Sequence, residues 1–242
     1  MPDLRSTVKS TYAKGARSVG RGLTKAGLLP EHAPPRDQRL KHWAFSLTRA
    51  HDSLGISELD VPWWTYRAID AVERFIAERG TVRAFEWGSG ASTIWLARRV
   101  ERVDSVEHHR GFGEMIQARL REEFPNADLQ IVEPVPSPSP AIGSQKEGHA
   151  GLDFSAYVAH IDRVAAERGA PFDLIVVDGR AREACVRAAL AHLAEGGIIV
   201  FDNTMRRRYR AAIGALPVRE NRYRGLTPTL PYPDQTSILS AS

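Results

Sequence analysis

The stretch Ala84-Phe85-Glu86-Trp87-Gly88-Ser89-Gly90-Ala91-Ser92-Thr93 decides how this 242-residue chain is read. An apolar run rises from Val82 and breaks at two glycines. Apolar positions at helical spacing follow at once: Ala91, Ile94, Trp95 and Ala97. The order is strand, tight glycine turn, helix start. Glycines at 88 and 90 admit a turn that side chains would block, and they let a ligand approach the main chain. The helix start offers unpaired N–H groups, with the Ser92 and Thr93 hydroxyls beside them. Alone, such a turn equally fits an ordinary strand-to-helix connection that binds nothing.

Outward from this turn the chain alternates. Residues 82–87 and 102–107 read as strands, each followed by a helix, over 92–99 and 113–123. Residues 129–132 read as a short third strand. A long loop over 134–152 holds four prolines and three glycines. A helix is expected over 154–168, then a fully apolar strand over 172–178 ending in an acid. A helix over 182–194 is expected to end at Gly196-Gly197, before a strand over 198–202. Residues 206–216 read as helical, and the part from Pro217 as an antiparallel pair closing at 235–239. Parallel strands with helical crossovers imply an α/β, Rossmann-like, doubly wound sheet covered on both faces.

This domain is expected to span 60–242. Asp60 reads as the cap of a helix with Pro62 in its first turn, and Trp64, Ala68, Ile69, Val72, Phe75 and Ile76 form its apolar stripe. Trp63 and Trp64 read as packing residues or as a cap over a cofactor. Residues 1–59 read as a basic extension and linker. Residues 1–50 hold ten Lys or Arg against three Asp or Glu, a charge of +7, and the rest carries −3. Val8, Tyr12, Ala16, Val19 and Leu23 fall at helical spacing between basic residues, a pattern that suits an anionic membrane surface. Gly15, Gly20, Gly22 and Gly27 weaken such a helix, so a mobile tail is the other reading.

Composition bounds the class. Hydrophobic residues at 43% and charged residues at 26% are ordinary for a globular chain. A single cysteine, Cys185, leaves no internal disulfide framework and suits a reducing cytosol. Its helical position among apolar residues makes it a core residue. No apolar run approaches a membrane span, and the first residues lack the apolar region of a secretory signal. The expected location is cytoplasmic, with peripheral membrane contact through the extension. The negative balance of the core speaks against a broad nucleic-acid surface.

In an open parallel sheet, ligands bind outside the carboxyl ends of the strands. Standing there are Glu86 and Gly88, then Glu107, then Asp178, then Asp202 and Asn203. Four acids at one sheet edge must hold something cationic, rich in hydroxyls, or metallic. Glu107 lies 19 residues after Gly88, where an acid accepts hydrogen bonds from ribose hydroxyls. A dinucleotide fingerprint would place glycine at position 93, which is Thr93 here. Glu86 just before the turn would repel a pyrophosphate, and a sulfonium cofactor without phosphate suits it better. An NAD(P)-linked oxidoreductase is therefore the weaker alternative.

Glu86-x-Gly88-x-Gly90, Val103-Asp104-Ser105-Val106-Glu107, the run from Phe172 through Asp178 to Gly179, and the run from Gly196 through Asp202 to Asn203 together resemble the class I S-adenosylmethionine-dependent methyltransferases. The resemblance covers residues 60–240. It implies a seven-stranded sheet of order 3-2-1-4-5-7-6 with strand seven antiparallel. It implies S-adenosylmethionine held by Glu86, Gly88, Ser89, Gly90, Ser92, Thr93, Glu107, His108 and Asp178. Asp178 followed by Asp202-Asn203 is similar to metal-dependent small-molecule O-methyltransferases, where such residues hold Mg²⁺. This chain departs from them, because Arg180 and Arg182 stand where a lysine is usual. The stretch Asp178-Gly179-Arg180-x-Arg182-x-x-Cys185 looks more like a bacterial branch.

The expected reaction is methylation of an oxygen on a small-molecule, glycan or lipid-linked acceptor. Asp178 would act as base or metal ligand, with Asp202 and Asn203 orienting the acceptor. Without metal, His109 or His149 could assist. Arg180, Tyr157 and Arg206 are the expected acceptor contacts, and Arg182 could also meet an acceptor carboxylate or phosphate. A cofactor-binding protein of the same fold without catalysis is the other reading. An RNA or protein methyltransferase is disfavoured, since an Asn-Pro-Pro-Tyr type of motif is replaced by Asp178-Gly179-Arg180. The number of subunits is not readable from the sequence.

Overall fold

The computed structural model describes residues 30, 32–49 and 53–242. The amphipathic pattern at 8–23 lies outside the described residues. Helices α1 (Arg39–Arg49), α2 (Ser53–Ser57) and α3 (Tyr66–Arg79) come first. Then β1 (Arg83–Trp87), α4 (Ala91–Ala97), β2 (Arg102–Glu107), α5 (Arg110–Glu123) and β3 (Ala127–Ile131) follow. The long loop carries a small antiparallel pair, β4 (Val135–Pro136) and β5 (Leu152–Asp153). After it come α6 (Ser155–Val158), α7 (His160–Arg168), β6 (Phe172–Val177), α8 (Arg182–Ala191) and β7 (Leu193–Phe201). The chain closes with α9 (Arg207–Gly214), β8 (Val218–Gly225) and β9 (Asp234–Ala241).

The main sheet has seven strands in the order β3-β2-β1-β6-β7-β9-β8. The first five run parallel, and β9 runs antiparallel to both β7 and β8. Counted along this sheet alone, the order is 3-2-1-4-5-7-6. Parallel strands must be covered on both faces, and the apolar side chains divide accordingly. One layer packs Phe85, Trp87, Tyr157, Ile175 and Phe201 under α6, α7, α8 and α9. The other packs Trp64, Ile69, Val72, Trp95 and Val176 under α3 and α4. All six residues of β6 are buried, which explains its unbroken apolar run. Trp64 is fully buried edge-on to Trp95, with ring centres 5.6 Å apart.

Several expected boundaries move for identifiable reasons. Helix α3 begins at Tyr66 after Thr65, not at Asp60. Asp60 has a φ of +50° and pairs with Arg98 and Arg99 of the α4 end, so it ties two elements rather than capping one. Helix α5 starts at Arg110 because the His109 ring accepts the Phe112 N–H at 3.2 Å. The expected helix over 154–168 is two, with Ala159 between them. Gly196-Gly197 do not end α8, which stops at Ala191; they lie inside β7. Between the pairs Phe172–Leu193 and Leu174–Ile198 the register slips, and Gly196 at φ +70° sits in that irregularity.

Residues before position 60 pack on the same unit. Phe45 and Ile56 are buried, and His42 Nδ1 lies 2.6 Å from Tyr66 Oη. Trp43 donates to the Leu230 carbonyl at 2.8 Å. Arg36 forms an ion pair with Glu73, and Arg39 with Asp70, both on α3. Among the described residues no helix is long and apolar enough to cross a membrane.

Candidate active site

The carboxyl ends of β1, β2, β6 and β7 open into a cavity of about 640 Å³, within the usual range for ligand sites. Gly88, Ser89, Gly90 and Ser92 form one side, Glu107 and His108 another, and Asp178, Asp202 and Asn203 the far end. The turn after β1 must be glycine. Gly88 has a φ of +94°, and a Cβ there would lie 2.5 Å from Gly179 Cα. The two strand-end loops touch backbone to backbone, and the cavity floor lies across that contact. Ser89 Oγ is buried there without a partner.

Glu107 presents its carboxylate to the cavity at the end of β2. Its Oε1 accepts the His109 N–H at 2.9 Å, and Oε2 accepts the Ser89 N–H at 3.2 Å. His108 Nδ1 lies 2.6 Å from Oε1. Burial pushes this carboxyl up, but His108 and the backbone N–H groups outweigh it and hold it below the ordinary value. An ionised acceptor there suits the two hydroxyls of a ribose. The His108 and His149 rings lie with centres 5.6 Å apart, tilted by 47°, which supplies aromatic surface beside Glu107. Burial lowers the His149 pKa, so its ring is neutral at pH 7.

Two residues expected at the cofactor, Glu86 and Thr93, do not line the cavity. Glu86 is fully buried and does not reach the cavity. It accepts from Ser92 Oγ, from Thr93 Oγ1 at 2.5 Å and from Ser105 Oγ at 3.1 Å. Thr93 is likewise buried, and its Oγ1 also takes the Gly90 N–H at 2.9 Å. Both residues brace the turn from below. The reason is geometric: Glu86 is the next-to-last residue of β1, so its side chain leaves the face opposite Trp87 and meets the hydroxyls of α4 and β2.

At the far end, Arg182 organises the three candidate catalytic residues. Its Nε donates to the Gly179 carbonyl at 3.0 Å, and Nη1 to the Asp202 carbonyl at 2.9 Å and Asn203 Oδ1 at 3.1 Å. Its Nη2 donates to the Asp178 carbonyl at 2.7 Å and lies 2.6 Å from Asp178 Oδ1. Every nitrogen of the guanidinium is engaged, so Arg182 has nothing left for an acceptor. Asn203, at φ +57°, gives its amide N–H to Asp234 at 2.8 Å. Asp202 Oδ1 accepts from Thr236 at 2.7 Å. Burial drives the Asp202 carboxyl well up, and the Asp178 charge adds to this. Burial also raises Asp178, against the pull of Arg182, Arg180 and Arg206.

This trio does not fit a divalent cation. Its amide oxygen and one Asp178 oxygen are committed to Arg182, which already brings the positive charge. Among the described residues no group of three or more His, Cys, Asp and Glu side chains could hold a metal ion. Arg182 thus puts a positive charge beside the three residues expected to hold Mg²⁺.

The acceptor contacts divide. Arg180 lines the cavity. Tyr157 does not: it is fully buried behind Gly179, and its Oη would lie 1.9 Å from a Cβ at that glycine. Its aromatic ring belongs to the core with Phe154, since α6 turns its apolar face onto the sheet. Arg206 is exposed at the start of α9 and lines an adjoining cleft, not the cavity itself. Cys185 is buried in the core, as its spacing implied. Trp63 stands in the cavity wall, its Nε1 donating to Thr229 at 2.9 Å. Phe112 and Leu230 also line the cavity and carried no signal in the sequence.

Residues 85–204 match the family described as "Methyltransferase domain". No curated protein matches the chain. A solved methyltransferase-like protein from Silicibacter pomeroyi is similar at 22% identity and TM-score 0.49, covering 72% of this chain and 84% of that one. An rRNA methylase from Streptococcus thermophilus is similar at 15% identity and TM-score 0.49, covering 72% and 96%. Magnesium protoporphyrin IX methyltransferase from Synechocystis PCC 6803, solved with bound S-adenosylmethionine, is similar at 10% identity and TM-score 0.48, covering 81% and 84%. These likenesses are distant, and the assignment rests on the matched domain, with a sheet order and glycine turn that agree with it. Residues 85–204 are a methyltransferase domain, on a Rossmann-like sheet, with S-adenosylmethionine as cofactor.

Proposed function

We propose that the protein methylates a hydroxyl oxygen of a small-molecule or glycan acceptor, and that Asp178 takes up the proton released. The observation that carries this reading is the state of Asp178. Arg182 pins Oδ1, while Oδ2 has no protein partner among the described residues and Asp178 lines the cavity. Bound S-adenosylmethionine supplies an electrophilic methyl group on a sulfonium. The chain's own share is to place the acceptor oxygen, exclude water and receive the proton. Good alignment alone is worth about 7–11 kcal/mol in favourable cases. A positioned base adds roughly 10²–10⁴-fold, and a carboxylate raised by burial serves better than a free one. Asp202 and Asn203 hold the Asp178 side of the cavity in shape. Trp63 and Leu230 supply an apolar wall.

The test is formation of S-adenosylhomocysteine from labelled cofactor across a panel of hydroxyl acceptors, for the wild type and Asp178→Asn. The wild type should turn over at least one acceptor. The variant should lose at least about 100-fold in kcat, with cofactor affinity kept. Full activity of Asp178→Asn would refute the base assignment. Turnover of RNA with none of the small acceptors used would refute the acceptor class.

A further inference from the structure

Arg180 is the half-buried cation that methyl transfer, as described so far, does not employ. It leaves the end of β6 one residue after Gly179, and its guanidinium forms a wall between two spaces. On one side is the main cavity. On the other is a narrow cleft shared with Lys146, Arg206 and Arg208. Beyond the cleft a shallow groove of about 530 Å³ is lined by Gln145, Arg206, Arg207 and Arg208. A cationic track thus runs from the reacting end of the cavity to the surface.

The contrast with Arg182 is informative. Arg182 spends all its nitrogens on protein oxygens. Arg180 donates to the carbonyl of its own neighbour Gly179 at 3.2 Å, and its Nε is buried without a partner. Among the described residues no carboxylate forms an ion pair with it. Burial and the charge of Arg182 lower its pKa, while Tyr157, Glu107 and Asp178 pull the other way from a distance. A half-buried guanidinium whose Nε is shut off from solvent without a partner is a costly feature, so the missing partner is expected in the ligand. Its planar fork suits an oxyanion held by two parallel bonds. Arg208 is partly engaged, by Glu183 at 3.3 Å and Gln145 at 3.1 Å, whereas Arg206 and Arg207 are exposed.

We propose that the methyl acceptor is anionic: its phosphoryl or carboxylate group docks on Arg180, and the remainder of the molecule leads outward along Arg206, Arg207 and Arg208. This rests on the methyl-transfer reading above. A small anion is favoured over a nucleic acid because the chain beyond residue 50 carries a net negative charge, which suits one local cationic track and not a broad basic face.

The experiment is calorimetric titration of the full chain, saturated with S-adenosylhomocysteine, with inorganic phosphate, pyrophosphate and malonate. The wild type should bind at least one of these, more weakly as salt rises. Preference for the phosphates assigns a phosphoryl group, and preference for malonate a carboxylate. Arg180→Gln should weaken the anion at least tenfold while binding S-adenosylhomocysteine within threefold, which also shows that the variant is folded. Arg206→Ala with Arg208→Ala should weaken pyrophosphate more than phosphate. Absence of anion binding by the wild type would overturn the proposal. So would an equal loss of S-adenosylhomocysteine in Arg180→Gln, which would assign Arg180 to the cofactor's own carboxylate. Tighter binding of a short RNA than of pyrophosphate, insensitive to Arg180→Gln, would overturn it too. A wild type that binds no S-adenosylhomocysteine would sink the methyl-transfer reading itself and the proposal with it.

Discussion

Arg182 and Glu86 are the two residues where side-chain type pointed one way and placement another. Arg182 fills the space between Asp178, Asp202 and Asn203 with a guanidinium, so the enzyme should need no divalent cation. Chelator treatment is expected to leave the rate of S-adenosylhomocysteine formation unchanged, and manganese to give no bound signal in electron paramagnetic resonance. A rate that collapses with chelator and returns with Mg²⁺ would refute the internal cation. Arg182 also lowers Asp178, so removing its charge should move the acid limb of the kcat/KM profile to higher pH, measured on Arg182→Gln. Glu86 sits buried in β1 with three hydroxyls around it, and burial raises its pKa from 4.5 to about 7. The folded state therefore favours the protonated form. The stabilisation is full below about pH 4.5 and fades as pH rises through 7, for a total of up to about 3 kcal/mol. Glu86→Gln should flatten that dependence: its melting temperature relative to wild type should climb between pH 5 and pH 8. An unchanged difference across that range would show that Glu86 is ionised throughout. That Glu86 is an acid before a glycine turn was legible; that its oxygens turn onto the hydroxyls of Ser92, Thr93 and Ser105 was not, because those partners lie on other elements and leave no local pattern.

Strand-end turns are the elements on which the cavity is built, and two of them meet at Gly88 and Gly179. A Cβ on Gly179 would stand 1.9 Å from Tyr157 Oη and 3.0 Å from Gly88 N. Gly179→Ala should therefore cost about 1–3 kcal/mol by overpacking, read from thermal unfolding, and weaken S-adenosylhomocysteine by displacing the glycine turn. Tyr157 Oη is buried without a partner, so Tyr157→Phe alone should be neutral or stabilising. In the Gly179→Ala background it should restore part of the loss. Full additivity of the two would show that they do not touch. At this scale the sequence was most readable where both sheet faces are covered. The run from Phe172 to Val177 is apolar throughout because every residue of β6 is buried. It was least readable where a local signal had two meanings. Gly196-Gly197 reads as a helix stop, yet it marks an irregularity inside β7. The break at Ala159 has no glycine or proline to announce it, and the ring of His109 caps α5 where serine or aspartate would have been sought.

Across the whole molecule, the N-terminal helix α1 reaches the cavity through a segment near the other end of the chain. The connector between β8 and β9 supplies Leu230 to the cavity wall. Trp43 donates to the Leu230 carbonyl at 2.8 Å, Ser46 Oγ accepts the Thr229 N–H at 2.8 Å, and Trp63 donates to Thr229 Oγ1 at 2.9 Å. Thr229 has a φ of +67°, a strained conformation for a β-branched residue that these bonds hold in place. Contacts between positions so far apart leave no periodicity behind, which is why the sequence showed the sheet and its acids but not this wall. Ser46→Ala would leave the buried Thr229 N–H unpaired, at a cost of about 1–3 kcal/mol. Trp43→Phe would free the neighbouring carbonyl. Both variants should melt earlier and let the connector shift away from the cavity. With Leu230 in the apolar wall proposed for the acceptor, the acceptor should feel the change first. The expected kinetic signature is a raised acceptor KM, with the dissociation constant of S-adenosylhomocysteine held near wild type. If cofactor affinity falls in step with acceptor KM, the connector supports the entire cavity and not the acceptor end.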